Sequence, residues 1–232
     1  MNTGYGYSSA TVGYDSVEAR ARFITRTYNH LFGAIVAFTA LEFALFTTGL
    51  ANVIVTAMQS VSWMLVLGAF MVTSWLASRA AHTAESKVTQ YAALGGYVVI
   101  EALIFLPLLW YANEYAPGVI SSAGLVTMLG FAGLTGVAFY TRKDFSFLRG
   151  ILMWGGIGAL VLIVASVLFG IQLGVFFSVA MVFFAGAAIL YDTSNIIHHY
   201  PEDRYVGAAL QLFASVALLF WYVIRIFLAS RD

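Results

Sequence analysis

Three carboxylic acids lie in or at the end of long apolar stretches of this chain, where charged residues are least expected. Glu42 and Glu101 are flanked by apolar residues on both sides, and Asp192 closes a third stretch in the run AILYDTSNII. A carboxylate at mid-bilayer costs roughly 2.5–3.5 kcal/mol, so acids in such stretches usually face the interior of a helix bundle and take part in function. These three acids are the first candidates for chemistry.

The acids are carried by seven apolar stretches that are each long enough to cross a bilayer as an α-helix. The stretches cover residues 28–49, 57–77, 90–112, 119–140, 150–169, 173–191 and 205–228. A spanning helix needs about 20 residues, and the stretches lack the alternation that barrel strands show. The sequence therefore predicts an all-α polytopic membrane protein with seven transmembrane helices.

The composition excludes an ordinary soluble protein. Hydrophobic residues make up 61% of the chain, charged residues 9%, and the mean hydropathy is +0.88, whereas soluble domains carry about 25% charged residues. The lipid bilayer is therefore the first expected partner. The chain has no cysteine, which excludes disulfides and thiol chemistry. Its basic residues form no patch of the kind that binds nucleic acid.

The amino-terminal residues differ in composition from the rest. They are rich in Gly, Ser and Tyr and have no apolar run, so they do not fit a cleavable signal peptide. We expect residues 1–27 to form a disordered cytoplasmic tail and residues 28–232 to form one seven-helix transmembrane domain.

Basic residues predict the orientation of the chain. Nine of the eleven Lys and Arg residues lie before the first stretch or in alternate connections, and the other connections have none. Because basic residues concentrate on the cytoplasmic side, the amino terminus is predicted to be cytoplasmic. Arg225 and Arg231 lie on the other side, so a re-entrant last segment is the alternative.

Glu42 and Glu101 are predicted to lie at similar depth near the bilayer centre. They occupy the middles of the first and third stretches, which cross the membrane in the same direction. Two acids that share an apolar site cannot easily both ionise, which is the chemistry of a proton-coupled site. The alternative is that each is a neutral acid hydrogen-bonded within the bundle, with Tyr97 as a neighbour of Glu101.

The last stretch carries four polar side chains on one face. Gln211, Ser215, Tyr222 and Arg225 fall within about 80° of arc at 100° per residue, and we call them the polar stripe. Such a face lines a conduction path or forms hydrogen bonds to neighbouring helices. Asp192 is expected at the cytoplasmic mouth of the bundle, or simply to mark a helix end.

Histidines and acids on the cytoplasmic side give weaker signals. His198 and His199 are adjacent and point in different directions on a helix, so no metal site is expected. His30 and His82 also fall on this side, and pH sensing is the more plausible role for the histidines. No nucleophile or metal spacing supports an enzyme, and we expect no cofactor.

At this point two segments resemble a known family. AILYDTSNII at 188–197, followed by YVGAALQLFASVALLFWYVIRIF at 205–227, resembles the paired sixth and seventh segments of the Bax inhibitor-1 family, and TRKDFSFLRG at 141–150 is similar to its connection between the fourth and fifth segments. The resemblance implies six helices around a central seventh.

The resemblance also implies a pH-sensitive calcium leak channel. In prokaryotic members an aspartate that ends the sixth segment pairs with one in the seventh, and an arginine of the second segment is linked to the pair. Asp192 matches the first aspartate and Arg79 is the candidate arginine. The second aspartate is missing, because Ser215 stands at its position. The sensor is then either lost or moved to Glu42 and Glu101.

Two functions of different classes follow. The first is a leak channel for calcium or other cations gated by protonation, and the second is a non-conducting modulator that binds another membrane protein, such as a protease or cell-death machinery. We expect the bacterial cytoplasmic membrane as its location.

Overall fold

The computed structural model describes the backbone of residues 9–231 and the side chains of residues 17–231. It has eight helices and no strand within the described backbone. In chain order they are α1 (Ser9–Thr47), α2 (Leu50–Gln59), α3 (Trp63–Thr83), α4 (Lys87–Tyr115), α5 (Val119–Thr141), α6 (Leu148–Phe169), α7 (Val175–His198) and α8 (Tyr205–Ala229). All except α2 are long and apolar enough to cross a membrane. The predicted all-α fold with seven spanning helices is confirmed.

The second spanning helix lies further along the chain than predicted. The expected stretch 57–77 is divided between the short helix α2 and the spanning helix α3, because the helix breaks at residues 60–62. Both sides of the break are apolar, so hydropathy alone does not reveal it. Ala51 and Val55 of α2 are buried against the bundle, and the indole N–H of Trp110 donates a hydrogen bond to Asn52.

The first helix extends into the segment predicted as a disordered tail. Residues 9–27 belong to α1, so the prediction of disorder needs correction there, whereas residues 1–8 of the predicted tail lie outside the described residues. The physical reason is packing: Phe23 and Thr27 are almost fully buried, and the ring of Phe23 stacks on that of Tyr200 at 6.3 Å between centroids.

The last helix is the central one, as the family resemblance implied. Helix α8 packs against α1, α3, α4, α5 and α7, and half of the residues in its apolar, membrane-spanning part are buried. Small residues permit these contacts, most clearly at Gly207. A Cβ atom there would lie 2.9 Å from the carbonyl oxygen of Ala81 in α3, so only glycine allows this approach.

Successive spanning helices alternate in direction, which divides the connections between two ends of the bundle. One end, here called the basic end, contains connections 84–86, 142–147 and 199–204. Contacts of Arg20 with Tyr200 and of Lys87 with Asp203 join its parts. At the opposite end, Arg231 donates a hydrogen bond to the carbonyl of Pro117.

Candidate functional site

The polar stripe of α8 lines a cavity inside the bundle. This central cavity has a volume of 710 Å³ and is bounded by residues of α3, α4, α6, α7 and α8. All four stripe residues contribute to its wall. The other polar side chains in the lining are Tyr97, Glu101, Ser166, Tyr191 and Asp192. Most of the remaining lining is aliphatic or aromatic, so a few polar groups project into a largely apolar space.

Asp192 and Ser215 are in direct contact. The Ser215 hydroxyl donates a hydrogen bond of 2.5 Å to Oδ2 of Asp192, and both side chains are buried. Gln211, one turn before Ser215 on α8, is a second polar neighbour of the carboxylate. Ser215 therefore occupies the place from which a second acid would meet Asp192.

Glu101 lies in the same cavity as Asp192. It is the central residue of α4 and is 5% exposed. Tyr97, one helical turn earlier, is a polar neighbour of its carboxylate. The structure thus brings together an acid from α4 and an acid from α7 in the lining of one cavity.

Glu42 lies elsewhere, which corrects the predicted pairing of Glu42 with Glu101. It is 6% exposed, and neither of its carboxylate oxygens has a hydrogen-bond partner among the residues described. No residue of α1 belongs to the lining of the central cavity. Equal depth on two helices does not fix the direction of the side chains, and the cavity is bounded by other helices.

Arg225 brings a positive charge to the far end of the cavity. Its Nη2 donates a hydrogen bond of 3.1 Å to the carbonyl of Leu173, and its guanidinium carbon lies 5.9 Å from the centroid of the Tyr222 ring. Ser215 precedes it by ten residues, or about 15 Å of helix. The cavity is therefore acidic toward the basic end of the bundle and cationic at the opposite end.

A second cavity adjoins Asp192 at the basic end. We call it the mouth; its volume is 400 Å³. It is lined by Tyr191, Asp192, Asn195, His199, Tyr200, Pro201 and Gln211. Tyr191, Asp192 and Gln211 line both cavities, so these three side chains separate the mouth from the central cavity.

The loop over the mouth is held through Tyr200. Arg20 donates a hydrogen bond of 2.7 Å to the Tyr200 carbonyl, and Nε2 of His82 lies 2.9 Å from the Tyr200 hydroxyl. Nδ1 of His82 is 2.7 Å from the carbonyl of Ser78. Because a carbonyl only accepts, Nδ1 carries the proton, and Nε2 of the neutral ring accepts from Tyr200. Burial raises the pKa of Tyr200.

The rim of the mouth also contains an ion pair. Nε2 of His199 lies 3.4 Å from Oδ2 of Asp144 in the connection between α5 and α6. The backbone N–H of Ser146 donates a hydrogen bond of 2.8 Å to Asp144, and this bond lowers the pKa of that carboxyl.

The remaining histidines are positioned by local contacts. His198 Nδ1 lies 3.0 Å from the carbonyl of Ser194, and His30 Nε2 lies 3.1 Å from the hydroxyl of Tyr91. Among the described residues, no three His, Asp or Glu side chains are grouped so as to hold a metal ion.

Arg79 is not at the site where the family resemblance placed its counterpart. Its side chain is exposed, its guanidinium carbon lies 5.4 Å from the Trp75 ring centroid, and it is absent from the lining of both cavities. The link between this arginine and Asp192 therefore needs correction. Arg79 lies near the carboxyl end of α3, where it reaches the surface.

Tyr200 is the functional candidate that the sequence analysis did not identify. It follows two histidines and precedes Pro201 at the end of α7. An aromatic residue between a helix end and a proline is a weak signal for a packed loop, and it would have drawn attention to this position. The partners Arg20 and His82 are 180 and 118 residues away, so only the fold reveals them.

Comparisons with known proteins identify relatives of this chain. A protein of Pseudomonas aeruginosa that has no assigned function is 40% identical over 112 residues, which cover 47% of this chain and 49% of that protein. The Escherichia coli protein named modulator of FtsH protease YccA is 33% identical over 145 residues, or 58% of this chain and 66% of YccA. LIFEGUARD 4 of Arabidopsis thaliana is 31% identical over 119 residues, 49% of this chain and 48% of the relative.

The alignments with these relatives thus span about half to two thirds of each relative's length. A family model described as inhibitor of apoptosis-promoting Bax1 matches residues 20–232, which include all seven spanning helices and both cavities. The chain therefore belongs to the Bax inhibitor-1 family.

Proposed function

We propose that this protein is a passive leak pathway for cations, calcium among them, whose conduction depends on protonation of Asp192. The observation that carries the proposal is the position of Asp192 between the mouth and the central cavity. A buried carboxylate at the boundary of two cavities attracts cations when ionised and loses that attraction when protonated. The protein supplies a path and a gate, and catalyses no covalent reaction.

The pathway follows the acids and the polar stripe through the bundle. A cation enters the mouth beneath Tyr200, passes Asp192 and Ser215, and reaches the central cavity beside Glu101. Its volume of 710 Å³ has room for on the order of twenty water molecules, so an ion inside stays partly hydrated. Arg225 lies at the far end and slows cation exit by repulsion.

We infer that the basic end faces the cytoplasm and that the membrane is the bacterial cytoplasmic membrane. The charge asymmetry supports the orientation. An inner membrane protein YccA of Escherichia coli, 33% identical over 145 residues, supports the location. In this orientation the mouth opens toward the cytoplasm, and cytoplasmic acidity acts directly on Asp192.

Ion flux into liposomes tests the proposal. Purified protein is reconstituted, and calcium and proton indicators follow flux at pH values from about 5 to 8, which bracket neutrality, because protonation removes the charge of a carboxylate. We expect calcium flux above that of empty liposomes, dependent on pH, and a much weaker pH dependence for Asp192→Asn. Equal flux in protein-containing and empty liposomes at every pH would overturn the proposal.

A second candidate function is modulation of a membrane protease. The observation that favours it is the likeness to the Escherichia coli relative named modulator of FtsH protease. Degradation of a substrate by purified FtsH in the same liposomes, with and without this protein, tests it. A change in degradation rate that persists in Asp192→Asn would support modulation independent of conduction, and an unchanged rate would exclude it.

A further inference from the structure

The central cavity is larger and more apolar than passage of a bare ion requires. Its 710 Å³ falls within the roughly 300–1,000 Å³ of small-molecule sites, which are mostly apolar with a few convergent polar groups. Ion pathways are instead lined mainly by oxygen atoms that replace hydration water. The excess volume and the apolar walls therefore need a separate explanation.

Aromatic side chains from four helices line the same cavity as the acids. Trp63 of α3, Phe105 of α4, Phe184 of α7 and Trp221 of α8 all line the cavity, and the tyrosines described above add to them. Aromatic rings attract cations through their π faces and also pack against apolar groups. A lining of this kind suits a ligand that is both apolar and positively charged.

The charges determine which end of the cavity a cation prefers. Asp192 and Glu101 lie in the part toward the basic end, and Arg225 lies at the opposite end. A cation is attracted to the acids and repelled by the arginine, so it settles beside Asp192 and Glu101. An anion of the same size is repelled there.

The wall formed by α3 and α6 is the least buried side of the cavity. None of the described α6 residues is buried. Trp63, where α3 begins at the end opposite the basic end, and Met153, in the part of α6 toward the basic end, both line the cavity and are 36% and 55% exposed. A lipid-soluble molecule therefore meets residues of the cavity wall without leaving the bilayer.

We propose that the central cavity binds a lipophilic organic cation, which enters from the bilayer between α3 and α6 and pairs with Glu101 and Asp192. The site lies in the same cavity as the proposed ion pathway, but binding does not require that ions cross the protein. Binding and flux are therefore measured separately, and failure of one leaves the other standing.

Equilibrium dialysis with a matched pair of probes tests the proposal. The full chain in lipid nanodiscs is dialysed against tetraphenylphosphonium, a cation, or tetraphenylborate, an anion of nearly the same size and shape. We expect saturable phosphonium binding above that of empty nanodiscs and no saturable borate binding. Saturable binding of borate with equal or higher affinity, or phosphonium uptake equal to empty nanodiscs, would overturn the proposal.

Two variants locate the binding charge. Glu101→Gln should weaken phosphonium binding about tenfold, since it removes a charge in contact with the cation. Glu42→Gln is the matched control, because it neutralises a buried acid outside the cavity lining, and it should leave binding unchanged. Equal effects of the two changes, or none from Glu101→Gln, would contradict the assignment.

A labelling experiment keeps both acids in place. The chain has no cysteine, so Ala188→Cys gives a single thiol in the cavity wall, one helical turn before Asp192 on α7. Phosphonium should slow its reaction with N-ethylmaleimide, and borate should not. Labelling at the same rate with and without phosphonium would show that the cation does not occupy the cavity.

Discussion

At position 215 this chain has a hydroxyl where the family resemblance predicts a carboxylate. Ser215 donates a hydrogen bond to Asp192, but a hydroxyl cannot share a proton with a carboxylate as a second acid does. The site therefore has one carboxylate at the boundary of the two cavities. A second acid, Glu101, lines the same cavity from α4.

Ser215→Asp should strengthen the dependence of flux on pH. Two carboxylates in contact cannot easily both ionise, so they share one proton over a range of roughly pH 5 to 8. Liposome flux across this range is the measurement. The added pH dependence of flux should disappear in the double variant Asp192→Asn with Ser215→Asp. An unchanged pH profile in Ser215→Asp would show that the two carboxylates do not share a proton.

Asp144 should stabilise the loop between α5 and α6 except in acid. Its pKa is lowered by the Ser146 backbone N–H, so its contribution is present above the ordinary value of 3.8 and is lost as pH falls through the lower folded value. Thermal unfolding of the wild type and Asp144→Asn is the check. The melting temperatures should differ slightly at neutral pH and converge as the pH falls through the lowered pKa of Asp144; a difference that grows in acid would contradict this.

At the scale of elements, sequence reasoning placed α4, α5, α6 and α8 within three residues at both ends, because each is a long apolar run with a polar break. It began the first helix too late and ended the sixth stretch, which is α7, seven residues too early. It misplaced α3, since the break at residues 60–62 lies within apolar sequence. It paired Glu42 with Glu101 from depth alone, whereas the direction of each helix face depends on packing. The cavity brings Glu101 together with Asp192 across helices separated by 91 positions in the chain, which no local pattern reveals.

The contact between α3 and α8 should depend on Gly207. Gly207→Ala places a Cβ 2.9 Å from the Ala81 carbonyl oxygen, which forces the helices apart and should cost about 1–3 kcal/mol of stability. Gly133→Ala is the control, because nothing lies within 4 Å of the added Cβ there. The melting temperature should fall for Gly207→Ala only, and equal melting temperatures would show that the contact is not tight.

On the scale of the whole molecule, the orientation of the bundle in the membrane determines which compartment each end of the two cavities faces. If the basic end is cytoplasmic, Asp192 responds to cytoplasmic pH and Arg225 lies toward the outside. Glu85 is exposed at the basic end, and Ser60 is exposed at the opposite end. Because the chain has no cysteine, replacing either residue by cysteine introduces a single thiol.

Impermeant maleimide should label Ser60→Cys from outside intact cells, whereas Glu85→Cys should react only after the membrane is opened. The expectation follows from the placement of nine of eleven basic residues at one end, because basic residues concentrate on the cytoplasmic side. Labelling of Glu85→Cys in intact cells would reverse the orientation and with it the side from which protons reach Asp192.

The central claim is that cations cross through the cavity that contains Glu101 and Asp192, and flux through two single variants tests it most directly. Glu101→Gln and Glu42→Gln each remove one buried acid from the spanning region, but only Glu101 lines the cavity. In liposomes of equal protein content, calcium flux and its pH dependence should change markedly in Glu101→Gln and match the wild type in Glu42→Gln. Wild-type flux in Glu101→Gln, together with loss of flux in Glu42→Gln, would place the pathway outside this cavity.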